Sequence, residues 1–205
     1  MKDKIRFLSI LMIVALTLAV SIPGSAREAE SMNRAEEFYS IVQEIGAEYG
    51  LNIDFTPCDE ITTSPQEFRE ILEAYAISES GSISSSQGTL ALINAPTVEP
   101  TVLNYTKTVS GISNGWEIGA TASYYWNSTT QRYLFSSGSN VFVTSTNALG
   151  QEWFDITSSG CTVRDGGRTL FITATGTANY YSAGSGLVSF NGVTKSVEVY
   201  SSNVL

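Results

Sequence analysis

Histidine is missing from all 205 residues. That absence removes serine–histidine–aspartate and cysteine–histidine nucleophile systems, histidine-ligated zinc and the commonest general base together. Charge is scarce as well: charged residues make up 15 % of the chain, and acidic ones outnumber basic ones 20 to 11. With no basic patch to meet phosphates, nucleic acid and anionic lipid are excluded as partners. No repeat of 20 to 50 residues runs through the chain, which excludes solenoids and propellers. No nucleotide-binding or cofactor motif is present, so no cofactor is expected, and no long apolar run occurs after the first twenty residues.

That first run is informative. Lys2, Lys4 and Arg6 precede an apolar stretch at 7–20, which is followed by Pro23, Gly24, Ser25 and Ala26. A positive start, an apolar core too short for a comfortable bilayer span and a small-residue cleavage site describe a secretory signal peptide. Residues 1–26 are read as that peptide, with cleavage after Ala26. Pro23 and Gly24 are expected to break its helix. The mature chain is therefore expected to be secreted, with no membrane contact after cleavage. It has no lipid-acceptor cysteine at the cut, and residues 200–205 carry no anchoring motif.

The remainder divides by composition. Residues 27–82 hold 13 acidic and 3 basic residues, whereas residues 83–205 hold 6 and 5. The acidic part, residues 27–77, reads as a helical module. Asn33 with Glu36 resembles a capping pair, Phe38, Ile41, Val42, Ile45 and Tyr49 recur at helical spacing, and Gly50 supplies a stop. Leu51, Ile53 and Phe55 then alternate with polar residues as a short strand does. Ser64, Pro65 and Glu67 open a second helix, with Phe68, Ile71, Leu72 and Tyr75 as its apolar stripe.

Residues 78–88 are rich in serine and glycine and read as a connector. Residues 89–205 read as an all-β antiparallel sandwich of about seven or eight strands. Strand-like runs fall at 89–94, 102–110, 117–126, 131–135, 140–145, 168–181, 187–190 and 193–200, and Asn191-Gly192 is the sharpest hairpin signal among the turns between them. The fold class is thus α+β, a short helix–strand–helix module followed by a sandwich. This layout resembles that of small exported proteins of Gram-positive bacteria.

Chemistry-bearing residues are few. Glu152 and Asp155 are the closest acidic pair of the β part, but their odd spacing sends them to opposite faces of a strand, which does not suit a glycosidase; a solvated loop is the plainer reading. Lys107 and Lys195 sit in strand-like runs without a nucleophile motif. Asp54, Asp59 and Glu60 match no cation-binding spacing, and no metal is expected. Thr173, Thr175 and Thr177 share one strand face. Cys58 and Cys161 are the only thiols of an exported chain, which suggests a disulfide stapling the module to the sandwich.

Aromatic placement carries the functional expectation. Alternation puts Ile118, Ala120, Ala122, Tyr124 and Trp126 inside, along with Leu170, Ile172, Ala174, Ala178 and Tyr180, and it leaves Tyr125, Phe171, Tyr181 and Tyr200 on solvent faces. Rings among hydroxyl neighbours can stack on sugars or hold a protein. The expected function is a non-catalytic extracellular module that binds carbohydrate or an extracellular protein. The alternatives are an interaction protein docking a partner through its acidic helices, and a carboxylate hydrolase that works without histidine.

Overall fold

The computed structural model describes residues 23–81, 104–147 and 151–203. The signal-peptide core at 1–22, the run at 89–94 and residues 82–88 of the expected connector lie outside the described residues. Helix α1 (Pro23–Tyr49) leads into strand β1 (Asn52–Pro57) and helix α2 (Pro65–Ser80). Six further strands follow: β2 (Tyr105–Ser113), β3 (Trp116–Asn127), β4 (Arg132–Ser145), β5 (Glu152–Arg164), β6 (Thr169–Ser182) and β7 (Gly186–Tyr200). They form two antiparallel sheets, one in the order β1-β7-β6-β5 and the other β2-β3-β4. The fold is α+β, a helix–strand–helix segment with a sandwich-like pair of sheets.

Helix α1 begins ten residues before the expected cap. Asn33 is therefore interior to it rather than a cap, and Pro23 stands at its first position. Proline is well suited to a first helical position, since its missing N–H would find no partner there. The helix ends as expected: beyond Gly50, the Leu51 amide donates to the Gly46 carbonyl at 2.9 Å. Helix α2 starts as its sequence dictates, with Ser64 Oγ accepting from the Glu67 amide at 3.2 Å. It runs on through Ser80, so residues 78–80 of the expected connector are helical. The two helices meet through Phe38 stacked on Phe68 at 4.3 Å, with Phe55 of β1 against both rings. An exposed Arg69–Glu44 ion pair also joins them.

One core serves the whole molecule. The inner face of the four-stranded sheet carries Leu170, Ile172, Ala174, Ala178, Tyr180, Val188, Phe190, Val193, Val197 and Val199, all buried. Helix α2 covers one end of that face, where Tyr75 stacks on Tyr180 at 3.9 Å. The three-stranded sheet covers the other, and Trp116 of β3 reaches Phe154 and Tyr180 at the junction.

Three strand expectations need correction. The runs at 187–190 and 193–200 are one strand, β7, and Asn191-Gly192 is a bulge within it, not a hairpin. An extra residue in an alternating pattern produces either feature; here Gly192, at φ 70°, absorbs it and keeps Phe190 and Val193 on the same face. The two-residue hairpin with both residues at positive φ is Asn114-Gly115, between β2 and β3. The runs at 131–135 and 140–145 are likewise one strand, β4. Gly138 lies inside it because a Cβ there would come within 2.8 Å of Cys161, so that glycine serves close packing and not a turn.

Strand β5 was unforeseen, and it takes Glu152 and Asp155 out of the expected loop. Their side chains do leave on opposite faces. Glu152 accepts from Ser145 and Asn147, and Asp155 from Trp153 and Asn179. Tyr124 and Trp126 are half-buried rather than core, because a register shift after Ser123 ends the regular alternation. They form a ring cluster with Tyr105 and Tyr133.

Candidate functional site

The Cys58–Cys161 bridge does not form; both thiols are free. Cys58 follows β1 and Cys161 lies on β5, the two opposite edges of the four-stranded sheet. Three strand spacings separate those edges by about 14 Å, twice the reach of a disulfide. Burial also raises the Cys161 thiol above its usual pKa.

The strongest electrostatic feature was foreseen by neither half of the sequence. Glu79, in the last turn of α2, is fully buried and faces Lys195 of β7 at 2.6 Å and 2.7 Å. The same carboxylate accepts from the Tyr180 hydroxyl and from Trp116 Nε1 at 3.2 Å. Four donor contacts from three elements therefore converge on one carboxylate, which is what a buried charge requires. Burial pulls the Lys195 ammonium below its usual pKa against the opposing attraction of Glu79. Burial, reinforced by the Glu79 charge, holds the Tyr180 phenol protonated far above the usual tyrosine range. With both partners sealed from solvent, this cluster clasps α2 to the sandwich.

The outer face of the same sheet is built differently. Trp153 on β5 lies opposite Asn179 on β6, and Tyr181 is two residues further along β6. Such diagonal neighbours are about 7–8 Å apart. Both rings are among the most exposed large side chains, Trp153 at 40 % and Tyr181 at 45 %. A polar row crosses all four strands beside them. Asp155 accepts from Asn179 Nδ2 at 2.8 Å and Trp153 Nε1 at 3.2 Å, and Asn179 Oδ1 accepts from Ser189 at 2.7 Å. Thr177 donates to Asn191, which donates to Asp54 on β1 at 2.8 Å. Asp155 and Asp54 thus stand at the two sides of a row pinned by hydrogen bonds, with carboxylate oxygens left to accept more.

Of the four rings expected on solvent faces, Tyr181 belongs to this surface. Phe171 and Tyr200 lie together near the opposite end of the same face: Arg164 covers the Phe171 ring at 3.8 Å and pairs with Glu198, and Glu198 also accepts from the Tyr200 hydroxyl. That bond and the Glu198 charge raise the Tyr200 pKa. Tyr125 is on the other sheet, half-buried opposite Leu134. Thr175 and Thr194 share a hydroxyl contact at 2.9 Å between the two ends. Sequence reasoning did not single out Trp153 or Asn179 and set Asp155 aside in a solvated loop; the period-two spacing of Trp153 and Asp155 was the available signal. Among the described residues no group of three cysteine, aspartate or glutamate side chains could hold a metal ion. No helix among them is long and apolar enough to cross a membrane.

Known protein families, characterised proteins and solved structures offer no match to this chain. Its function is therefore argued from its own geometry.

Proposed function

We propose that the protein is a secreted, non-catalytic module that binds carbohydrate on the outer face of its four-stranded sheet, around Trp153 and Tyr181. The observation that carries this reading is two exposed rings flanking a hydrogen-bonded Asp155–Asn179–Ser189 row. A sugar presents a C–H face and a rim of hydroxyls. The rings supply a flat apolar contact for the first, and the Asp155 and Asp54 carboxylates, held in place by Asn179 and Asn191, supply acceptors for the second. Because the polar row is already ordered by its own bonds, little rotamer freedom remains to be lost on binding. The signal-peptide pattern of residues 1–26 supports a location outside the cell for such a module, where polysaccharide is abundant.

Polysaccharide pull-down followed by a glycan array tests this reading. Trp153→Ala and Tyr181→Ala should each weaken binding by about 1–2 kcal/mol, as the loss of a stacking ring does. Binding that survives both substitutions unchanged, or no glycan binding by the intact protein, would sink it.

A further inference from the structure

A second recess opens at the far end of the same sheet. It has a volume of about 580 Å³ and is lined by Gln131, Arg132, Asp165, Arg168, Tyr200 and Ser201 among others. Its two arginines stand out in the β part, which has only three. Arg164 is paired with Glu198. Arg132 and Arg168 have no carboxylate partner among the described residues, and both line this cleft. Arg168 donates only its Nε, to the Asp165 carbonyl at 3.0 Å, which leaves the outer edge of its guanidinium open. Asp165, the one carboxylate among the described residues that line it, is occupied on Oδ2 by the Thr169 hydroxyl at 2.8 Å. Among those residues two cations face one anion, in a chain whose net charge is −9.

We infer that this cleft binds the carboxylate of an acidic sugar, and that the ligand of the outer face is a uronate-bearing polysaccharide. Guanidinium forks match a carboxylate edge-on and hold it with charge-assisted bonds. The inference rests on the carbohydrate reading above and adds the chemical class of the glycan. The cleft lies at the end of the sandwich, between the start of β4 in the other sheet and the end of this one, and so borders the outer face. Thr169 at the cleft and Tyr181 at the rings are twelve residues apart on β6, about 40 Å of strand, with the hydroxyls of Thr173, Thr175 and Thr177 between them. Only a polymer spans that distance. A single net positive charge suits a chain with one carboxylate per sugar and gives no grip on a densely charged polyphosphate.

Calorimetric titration of the secreted protein with oligogalacturonate, with a neutral oligosaccharide and with poly(glycerol phosphate) tests the inference. Arg132→Gln and Arg168→Gln should each weaken oligogalacturonate binding about tenfold, and added salt should weaken it further. The Arg132 side chain makes no hydrogen bond among the described residues, so its variant should melt like the parent. Oligogalacturonate that binds the parent and both variants equally, or not at all, overturns the inference. Arginine-dependent binding of poly(glycerol phosphate) alone keeps an oxyanion site but overturns the uronate. Neutral oligosaccharide bound through Trp153 and Tyr181 with no arginine effect leaves the carbohydrate reading standing without this one. Arginine-dependent uronate binding that a Trp153→Ala/Tyr181→Ala double variant does not alter keeps the carboxylate cleft but overturns the outer face as part of the site.

Discussion

Strands β6 and β7 have two faces made by alternate residues of the same segments, and the two treat polar groups in opposite ways. On the inner face Lys195 stands between Val193 and Val197, and its charge is cancelled at contact distance by Glu79 with two further donors on the same carboxylate. On the outer face Asp155, Ser189 and Asn191 bond through or beside a buried Asn179, and the carboxylates of Asp155 and Asp54 keep acceptor capacity to spare. A charge inside must be fully matched because desolvation leaves no alternative partner, whereas a polar group outside can be half-matched at little cost because water completes it. The inner cluster is thus committed to holding the molecule together. The outer row can exchange its water for a ligand.

The largest effect expected from this contrast comes from breaking the inner pair. Lys195→Ala or Glu79→Ala leaves an uncompensated buried charge and should cost about 3–5 kcal/mol, read by denaturant unfolding. Where a single variant fails to fold, Glu79→Leu with Lys195→Met supplies the control, since replacing both charges by apolar groups removes the penalty and should restore much of the stability. Single variants as stable as the parent would show that the cluster is not the clasp described.

Tyr180 gives the next effect. Tyr180→Phe removes one hydroxyl donor to a buried carboxylate, for which about 1.5–3 kcal/mol is expected. It should also change the response to alkali. The folded protein keeps the Tyr180 proton, and burial raises Tyr75 in the same direction, while the unfolded chain releases both near pH ~10. The stability they contribute is complete below that value and is lost as the pH rises above it. Lys195 acts in the other direction, because its folded pKa lies below its unfolded one and stability gains with pH between the two. Tyr124 and Tyr200 are raised in the same direction, so with four phenols against one lysine stability should fall above pH ~10, and Tyr180→Phe should flatten the fall. Equal slopes in parent and variant would remove Tyr180 from the account.

The same contrast explains what could be read from sequence. The helices of the N-terminal segment and the faces of β6 were legible because apolar residues repeat at clean intervals, from Phe38 to Tyr49 and from Leu170 to Tyr180. β5 was not: most of its side chains are exposed, so its Asp-, Ser- and Gly-containing stretch shows no apolar alternation. Its outward Trp153 was lost with it, and Asp155 was read as part of a loop. Lys195 stood at an inward position between Val193 and Val197, which is a sequence signal for a buried lysine. Its partner lies 116 residues earlier, in a segment whose serines read as connector, and no local pattern links the two. The bulge at Gly192 was misread because an extra residue in an alternating run produces a hairpin or a bulge equally well until the partner strand is known.

The smallest effect on stability is expected one residue away from one of the larger ones. Tyr180 and Tyr181 are adjacent on β6, yet the first is 5 % exposed and the second 45 %. Truncating an exposed ring removes little buried area, so Tyr181→Ala should change unfolding free energy by no more than about 0.5 kcal/mol. Trp153→Ala should cost slightly more, since it also takes a donor from Asp155. Both belong in the same denaturation series as the inner-face variants, with glycan binding measured in parallel. The outer face is a ligand surface if these substitutions spare the fold and weaken binding together. Should Tyr181→Ala instead destabilise the protein as severely as loss of Lys195, the ring is part of the packing, and the division between a committed inner face and an available outer one does not hold.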